Sequence, residues 1–201
     1  MMNRQEFFNT SAITWDKNFY TPKLTNFLAQ IVSTFQLMQG QKILDVGTGT
    51  GVLIPFLLKA VGPLGHVTAV DFAENMVEIC KIKNIHHPNI TVMVQQVENL
   101  QFASESFDAV TCFGLFPHLE NKELALLQLN RVLKSGGKLI IAHALSSQEI
   151  RRHHHNAAPA VANDVLPEEP EMKKLLKQAG FVNVKITDKT GCYLCLSNKC
   201  R

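Results

Sequence analysis

Residues 43–51 read Ile-Leu-Asp-Val-Gly-Thr-Gly-Thr-Gly, and a second apolar run, His66-Val67-Thr68-Ala69-Val70, ends in Asp71. Closely spaced glycines let backbone approach a ligand, and a carboxylate ending the next strand stands where a ribose presents its hydroxyls. The chemistry these residues offer is nucleoside binding. The spacing then separates two kinds of nucleoside. The glycines are Gly47, Gly49 and Gly51, and Val52 stands where a dinucleotide fold needs a third glycine beside a pyrophosphate. Asp45, two positions before the first glycine, repels a pyrophosphate and attracts an ammonium group. A nucleoside with an ammonium and no phosphate satisfies both facts. A nicotinamide dinucleotide is the competing ligand, and the missing third glycine argues against it.

Two more motifs follow in order, Phe107-Asp108-Ala109-Val110 and Arg131-Val132-Leu133-Lys134-Ser135-Gly136-Gly137. With Asp45–Gly51 and Asp71, they resemble the class I S-adenosylmethionine-dependent methyltransferases, on the small-molecule branch that includes ubiquinone and menaquinone C-methyltransferases. The resemblance covers residues 4–145 well and the rest loosely. It departs at Ser135, where the family has proline, and at Gln96, where many relatives place an aspartate toward the adenine amine; a glutamine carbonyl accepts the same N–H. The resemblance implies S-adenosylmethionine as cofactor and transfer of its methyl group to a small-molecule acceptor by in-line displacement. It implies Asp45 near the methionine ammonium, Gly47, Thr48, Gly49 and Gly51 as the loop around the cofactor, and Asp71 on the ribose. Phe72 and Met76 would flank the adenine, Gln96, Val97 and Glu98 would meet its edge, and Cys112 and Phe113 would lie beside the methionine chain. Plain helix packing is the alternative for Phe72 and Met76, and a solvated loop carboxylate for Glu98.

Methyl transfer asks a protein for alignment and exclusion of water, and for a base only where the acceptor sheds a proton. His143, ending the fifth strand, and His118, after the fourth, are the candidate catalytic residues; a hydrogen-bonded strand-end residue is the alternative for His143. Arg151, Arg152, His153, His154 and His155 follow. In an extended segment His153 and His155 share a face that His143 could join around a metal. On a helix three consecutive side chains diverge by about 100° each and do not converge. A solvated loop is the plain alternative. A third reading sets one histidine as base and Arg151 and Arg152 on an anionic acceptor. No resident metal is assigned. Trp15 and Tyr20 complete the candidate acceptor residues. They belong to the run Phe8-x-x-x-Ala12-x-x-Trp15-Asp16, which resembles the lid of this family; a helix capping the core accounts for it equally. A protein that binds the cofactor without turnover, as sensor or partner subunit, is the alternative function.

The expected scaffold is an α/β, Rossmann-like, doubly wound and mostly parallel seven-stranded sheet with an antiparallel C-terminal hairpin, in one domain spanning 1–201. Strands are expected at 42–46, 66–70, 90–94, 107–113, 138–142, 181–187 and 191–197. Helices are expected at 22–38, 52–60, 73–83, from the cap Asn121 to Leu133, and at 168–179. Residues 1–38 form the lid and first helix, and 144–166 a long substrate-side connection without clear period. The composition is ordinary for a globular chain: 46% hydrophobic, 18% charged, net charge +3, with no basic stripe to favour nucleic acid. No apolar run reaches a membrane span and no signal peptide opens the chain, so a cytoplasmic protein, monomer or homodimer, without stable membrane insertion is expected. Five cysteines, an odd count, argue for free thiols. On a strand, the sulfurs of Cys192 and Cys195 point to opposite faces.

Overall fold

The structure, a computed structural model, describes residues 3–155, 157 and 159–201. Strands β1 (Lys42–Val46), β2 (His66–Asp71), β3 (Ile90–Val94), β4 (Phe107–Phe113) and β5 (Leu133–His143) run parallel. Strands β6 (Phe181–Lys189) and β7 (Cys192–Lys199) form an antiparallel hairpin, and β7 inserts between β5 and β6. The seven strands lie in the order β3-β2-β1-β4-β5-β7-β6. This is the doubly wound sheet with an antiparallel C-terminal hairpin that the sequence led us to expect.

Helices cover both faces, so the central strands are apolar on both sides. Leu44, Val46, Val110 and Ile141 pack into one core with α5 (Lys122–Val132) and α7 (Glu169–Gln178). Ile43, Ala109 and Ile140 pack into the other with α2 (Pro22–Thr34) and α3 (Ile54–Val61). A third cluster joins α1 (Arg4–Phe19) to α4 (Glu74–Asn84) through Ala12, Phe8, Trp15, Ala73 and Met76. Asn121 caps α5 as its residue type suggested, accepting from Leu124 N–H at 2.9 Å. Cys195 is buried in the first core while Cys192 packs against the second, and all five cysteines are free.

The structure corrects two expectations. Ser135-Gly136-Gly137 lies inside β5 rather than ending a helix. Helix α5 stops at Val132, and Gly136 (φ 73°) lets the strand bend where its pairing slips between Phe107–Leu133 and Ala109–Lys138. The 144–166 connection contains a helix, α6 (Ser147–His155). Its start is written in the sequence as Ser146-x-x-Glu149. Glu149 N–H donates to Ser146 Oγ at 3.2 Å and Glu149 Oε2 accepts from Ser146 N–H at 2.8 Å, a reciprocal cap. Ile150 and His154, four residues apart, form its buried face. Among the described residues no helix is long and apolar enough to cross a membrane.

Candidate active site

The parallel strands end along one edge of the sheet, and the chain leaves β1 toward β2 on one side and β4 on the other. Such a switch point opens a crevice at the carboxyl ends of the strands. Two adjoining cavities fill it, of about 410 Å³ and 380 Å³, and share Gly47, Asp71, Phe72, Leu115 and His118 as walls.

The cofactor end is built by two carboxylates. Asp45 is the penultimate residue of β1, with Thr111 of β4 beside it in register; Thr111 Oγ1 donates to Asp45 Oδ1 at 2.6 Å. Complete burial pushes the Asp45 carboxyl up to about 6 despite that bond, and Asp71 nearby adds to the effect. An arriving cation would restore the charged form. Asp71 ends β2 and accepts from two backbone amides at 2.9 Å, Gly49 through Oδ2 and Ala73 through Oδ1. The second bond is an Asx turn that launches α4; the first ties the glycine loop to the end of β2. Burial raises the Asp71 carboxyl too, against the pull of those amides.

The glycines divide by task. Gly47 (φ 66°) passes so close to the β4 loop that a Cβ would stand 2.7 Å from Leu115 Cβ. Gly49 borders the cavity, and nothing lies within 4 Å of where its Cβ would be. Thr48 is buried on the wall of the same cavity, and its hydroxyl favours the charged form of Asp45. Paired acidic groups beside the loop backbone fit an ammonium-bearing nucleoside. They do not fit a pyrophosphate.

Helix α1 stands against the other end of the larger cavity. Phe8, Trp15, Phe19 and Tyr20 line it from this helix and its end. Phe8 packs edge-on to Phe72 at 5.8 Å between ring centroids and to His118 at 5.3 Å. The helix is fastened along its length. Gln5 Nε2 donates to Phe72 O at 2.9 Å, Asn9 accepts from both the backbone N–H and Nδ2 of Asn75, and Asp16 pairs with Lys83 at 2.7 Å and accepts from Thr50. Tyr20 OH meets Thr50 Oγ1 at 2.8 Å, and burial raises its phenol above the ordinary range. From below, α2 adds Leu24 and Phe27, and β4 adds Phe113.

Histidines form the far wall: His118, His143, His153 and His154. Burial pushes the His143 imidazole down to about 3, with His118 and His154 nearby, and its Nε2 has no partner among the described residues. Burial lowers His153 and His154 as well. His118 Nδ1 bonds Asp164 Oδ2 at 2.6 Å.

Most residues singled out from the sequence meet here. Asp45, Gly47, Thr48, Gly49, Asp71, Phe72, Met76 and Phe113 line the larger cavity with Trp15, Tyr20, His118, His143 and His153; Gln96, Val97 and Glu98 line the smaller. Four do not. Gly51 lies outside both cavities, its Cα turned to α4, where a Cβ would stand 2.7 Å from Cys80 Sγ. Cys112 points into the core below the site because side chains alternate along β4, and burial raises its thiol well above the ordinary range. Arg151 is exposed on α6 and pairs with Glu168. His155 is exposed too, because the helix turns it away from His153. The same divergence removes the metal reading of His143, His153 and His155, and no cluster of metal-ligating groups exists among the described residues. Sequence reasoning missed Thr111, Asp164 and His154. A lone polar residue in an apolar strand was a signal for Thr111; nothing in the irregular stretch around Asp164 marked it.

A methyltransferase domain family matches residues 44–141. A demethylmenaquinone methyltransferase of Staphylococcus aureus (strain JH9) is 31% identical over 187 residues, covering 81% of this chain and 76% of that protein. A SAM-dependent methyltransferase from Aquifex aeolicus superposes with a TM-score of 0.76 at 24% identity, over 94% of this chain and 97% of the other. Haemonchus contortus phosphoethanolamine N-methyltransferase 2, solved with S-adenosyl-L-methionine, superposes with a TM-score of 0.80 at 16% identity, over 98% of this chain and 59% of that one. These two likenesses show the shared fold, while the identity and coverage of the S. aureus protein show the family. The chain belongs to the class I S-adenosylmethionine-dependent methyltransferases.

Proposed function

We propose that the protein methylates a small, neutral, ring-bearing acceptor with an ionisable hydroxyl, such as the reduced form of a quinone like the demethylmenaquinone in the name of its S. aureus relative. The observation that carries this reading is the make-up of the acceptor chamber. Phe8, Trp15, Phe19, Leu24, Phe27 and Phe113 supply flat apolar walls, and imidazoles supply the polar ones. Among the described lining residues of the larger cavity there is no arginine to take a phosphate or carboxylate, and its carboxylates, Asp45 and Asp71, sit at the cofactor end. Lys23 stands exposed at the rim. A phosphorylated or strongly cationic amine acceptor finds no built partner.

Bound S-adenosylmethionine supplies a methyl carbon on a sulfonium, open to displacement in line with its C–S bond. The residues of this chain bind, orient and dry the reaction. Asp71 and the glycine loop hold the nucleoside, Asp45 holds the ammonium, and α1 seals the mouth against water. The proton of the acceptor hydroxyl needs a base, and two imidazoles are in place. A phenolic proton near pKa ~10 moving to His143, at about 3, climbs close to 10 kcal/mol. His118 instead lines both cavities with the Asp164 carboxylate 2.6 Å from its Nδ1. We assign His118 as the base and His143 as a neutral hydrogen-bonding wall. The hydroxyl proton goes to His118 Nε2 and the oxygen electron pair activates the ring carbon that takes the methyl. S-adenosylmethionine would supply the methyl and keep the bonding pair on its sulfur; as the ring regains aromaticity its displaced proton passes to solvent, and the acceptor oxygen takes its own proton back from His118.

The test is S-adenosylhomocysteine release with a naphthoquinol, a catechol, a primary amine and a phosphorylated amine as acceptors. Release with the hydroxylated rings alone is expected. Turnover of the amines in preference to them refutes the acceptor class. Cofactor binding without transfer to any acceptor favours a non-catalytic partner protein.

A further inference from the structure

Asp164 gathers three elements onto one residue. Its Oδ2 lies 2.6 Å from His118 Nδ1, its Oδ1 accepts from Arg4 Nη2 at 2.6 Å, and its backbone carbonyl accepts from His154 Nδ1 at 2.5 Å. Arg4 opens α1, His118 follows β4, and His154 lies in the last turn of α6. Arg4 also reaches Glu120 at 3.0 Å. Asp164 is buried, which opposes its charge, yet His118 and Arg4 hold its carboxyl below the ordinary range.

That charge decides the state of His118. An ionised carboxylate only accepts hydrogen bonds, so the proton between the two sits on His118 Nδ1. Nε2 is then the ring nitrogen not engaged by Asp164, and Phe8 and His154 pack against the ring, at 5.3 and 4.8 Å between centroids. His118 lines both cavities, where the cofactor end meets the acceptor end.

We propose that Asp164 is a positioning residue for methyl transfer. It fixes His118 in the Nδ1–H tautomer, leaving Nε2 to take the acceptor proton, and through Arg4 it makes that tautomer part of the closed arrangement of α1. The carboxylate acts through His118 and does not touch the acceptor. This rests on the assignment of His118 as base.

The test has one arm that needs no turnover. In ¹⁵N-histidine NMR of the intact protein, the ring signals lost in His118→Asn report the wild-type tautomer. Nδ1–H is expected, and a neutral Nε2–H ring overturns the proposal whether or not an acceptor has been found. The kinetic arm uses Asp164→Asn. A fall in kcat of roughly 10- to 100-fold is expected, a part of what a general base contributes, with S-adenosylhomocysteine affinity held within about twofold. In the His118→Asn background the same change should cost less than about twofold. Equal losses in both backgrounds, or an unchanged kcat, overturn the proposal. Arg4→Gln cuts the α1 arm alone; it should raise acceptor KM more than it lowers kcat and leave the His118 tautomer in place. Should Asp164→Asn fail to fold, the wild-type tautomer still decides. Absence of turnover with every acceptor counts against the proposed reaction, and a wrong tautomer counts against Asp164.

Discussion

Asp71→Ala perturbs two functions at once, and the structure separates them. In the protein without cofactor, Asp71 accepts from the Gly49 and Ala73 amides, both at 2.9 Å. Its removal strands two buried N–H groups at about 1–3 kcal/mol each. The buried carboxylate also carries a desolvation cost, shown by its raised pKa, and deleting it returns part of the loss. A net loss of roughly 2–4 kcal/mol is expected, a large share of the 5–15 kcal/mol typical of a domain. Asp71→Asn keeps one acceptor and should lose about half as much. Affinity is a separate quantity. Ribose hydroxyls bonded to a charged acceptor contribute about 1.5–3 kcal/mol, so S-adenosylhomocysteine should bind roughly 10- to 150-fold more weakly. Urea unfolding measures the first effect and titration calorimetry the second. The 2′-deoxy analogue completes a cycle: wild type should discriminate against it and Asp71→Ala should not. Persistent discrimination in the variant, or wild-type affinity for both ligands, refutes the ribose assignment.

Two further outcomes follow from Asp45 and Gly51. The Asp45 carboxyl sits at about 6 in the folded protein, above its ordinary value of 3.8, so the folded state holds the proton more tightly than the unfolded one. Its ionised form therefore costs roughly 3 kcal/mol at neutral pH, and that cost is relieved as pH falls from about 6 toward 4. The cationic cofactor needs the ionised form, so its affinity should drop by up to about tenfold per pH unit below 6, with Thr111→Val moving the onset upward; calorimetry that stays flat from about pH 5 to 7 contradicts the pairing of Asp45 with the ammonium. Gly51→Ala places a Cβ 2.7 Å from Cys80 Sγ at φ 88°, and should destabilise by about 2–4 kcal/mol from overpacking and left-handed strain together. Adding Cys80→Ala should relieve the overpacking and leave the strain, so a double variant no better than the sum of the singles argues against this account.

The cofactor end was legible because its determinants are local. Glycines two apart, a carboxylate before them and another ending the next strand lie within residues 45–71, where strand and turn geometry alone fixes their relation. The strand order followed from the same grammar, since parallel strands joined by helices must place their carboxyl ends together. Helix α6 was legible too, in Ser146-x-x-Glu149, although a run of polar residues hid it. The acceptor end is of another kind. His118, the base we propose, and Asp164 lie 46 residues apart, and Arg4 lies 160 residues from the carboxylate it binds.

No periodicity links such positions, so sequence alone named His118 and His143 without ranking them. Folding separates them: burial pushes the His143 imidazole down to about 3, and the Asp164 stretch sets a carboxylate beside His118. The helical turn of α6 likewise buried His154 and left Arg151, His153 and His155 exposed, with His153 at the cavity wall, a choice that rests on one element being helix and not strand. The residues themselves determined that the glycine loop and two carboxylates meet at the bend after β1, where we place the nucleoside. Only the packing of α1, α6 and the Asp164 stretch over that bend decided which groups meet the acceptor, because a proton's preferred site depends on solvent exclusion and neighbouring charge, and both exist only once the chain has folded.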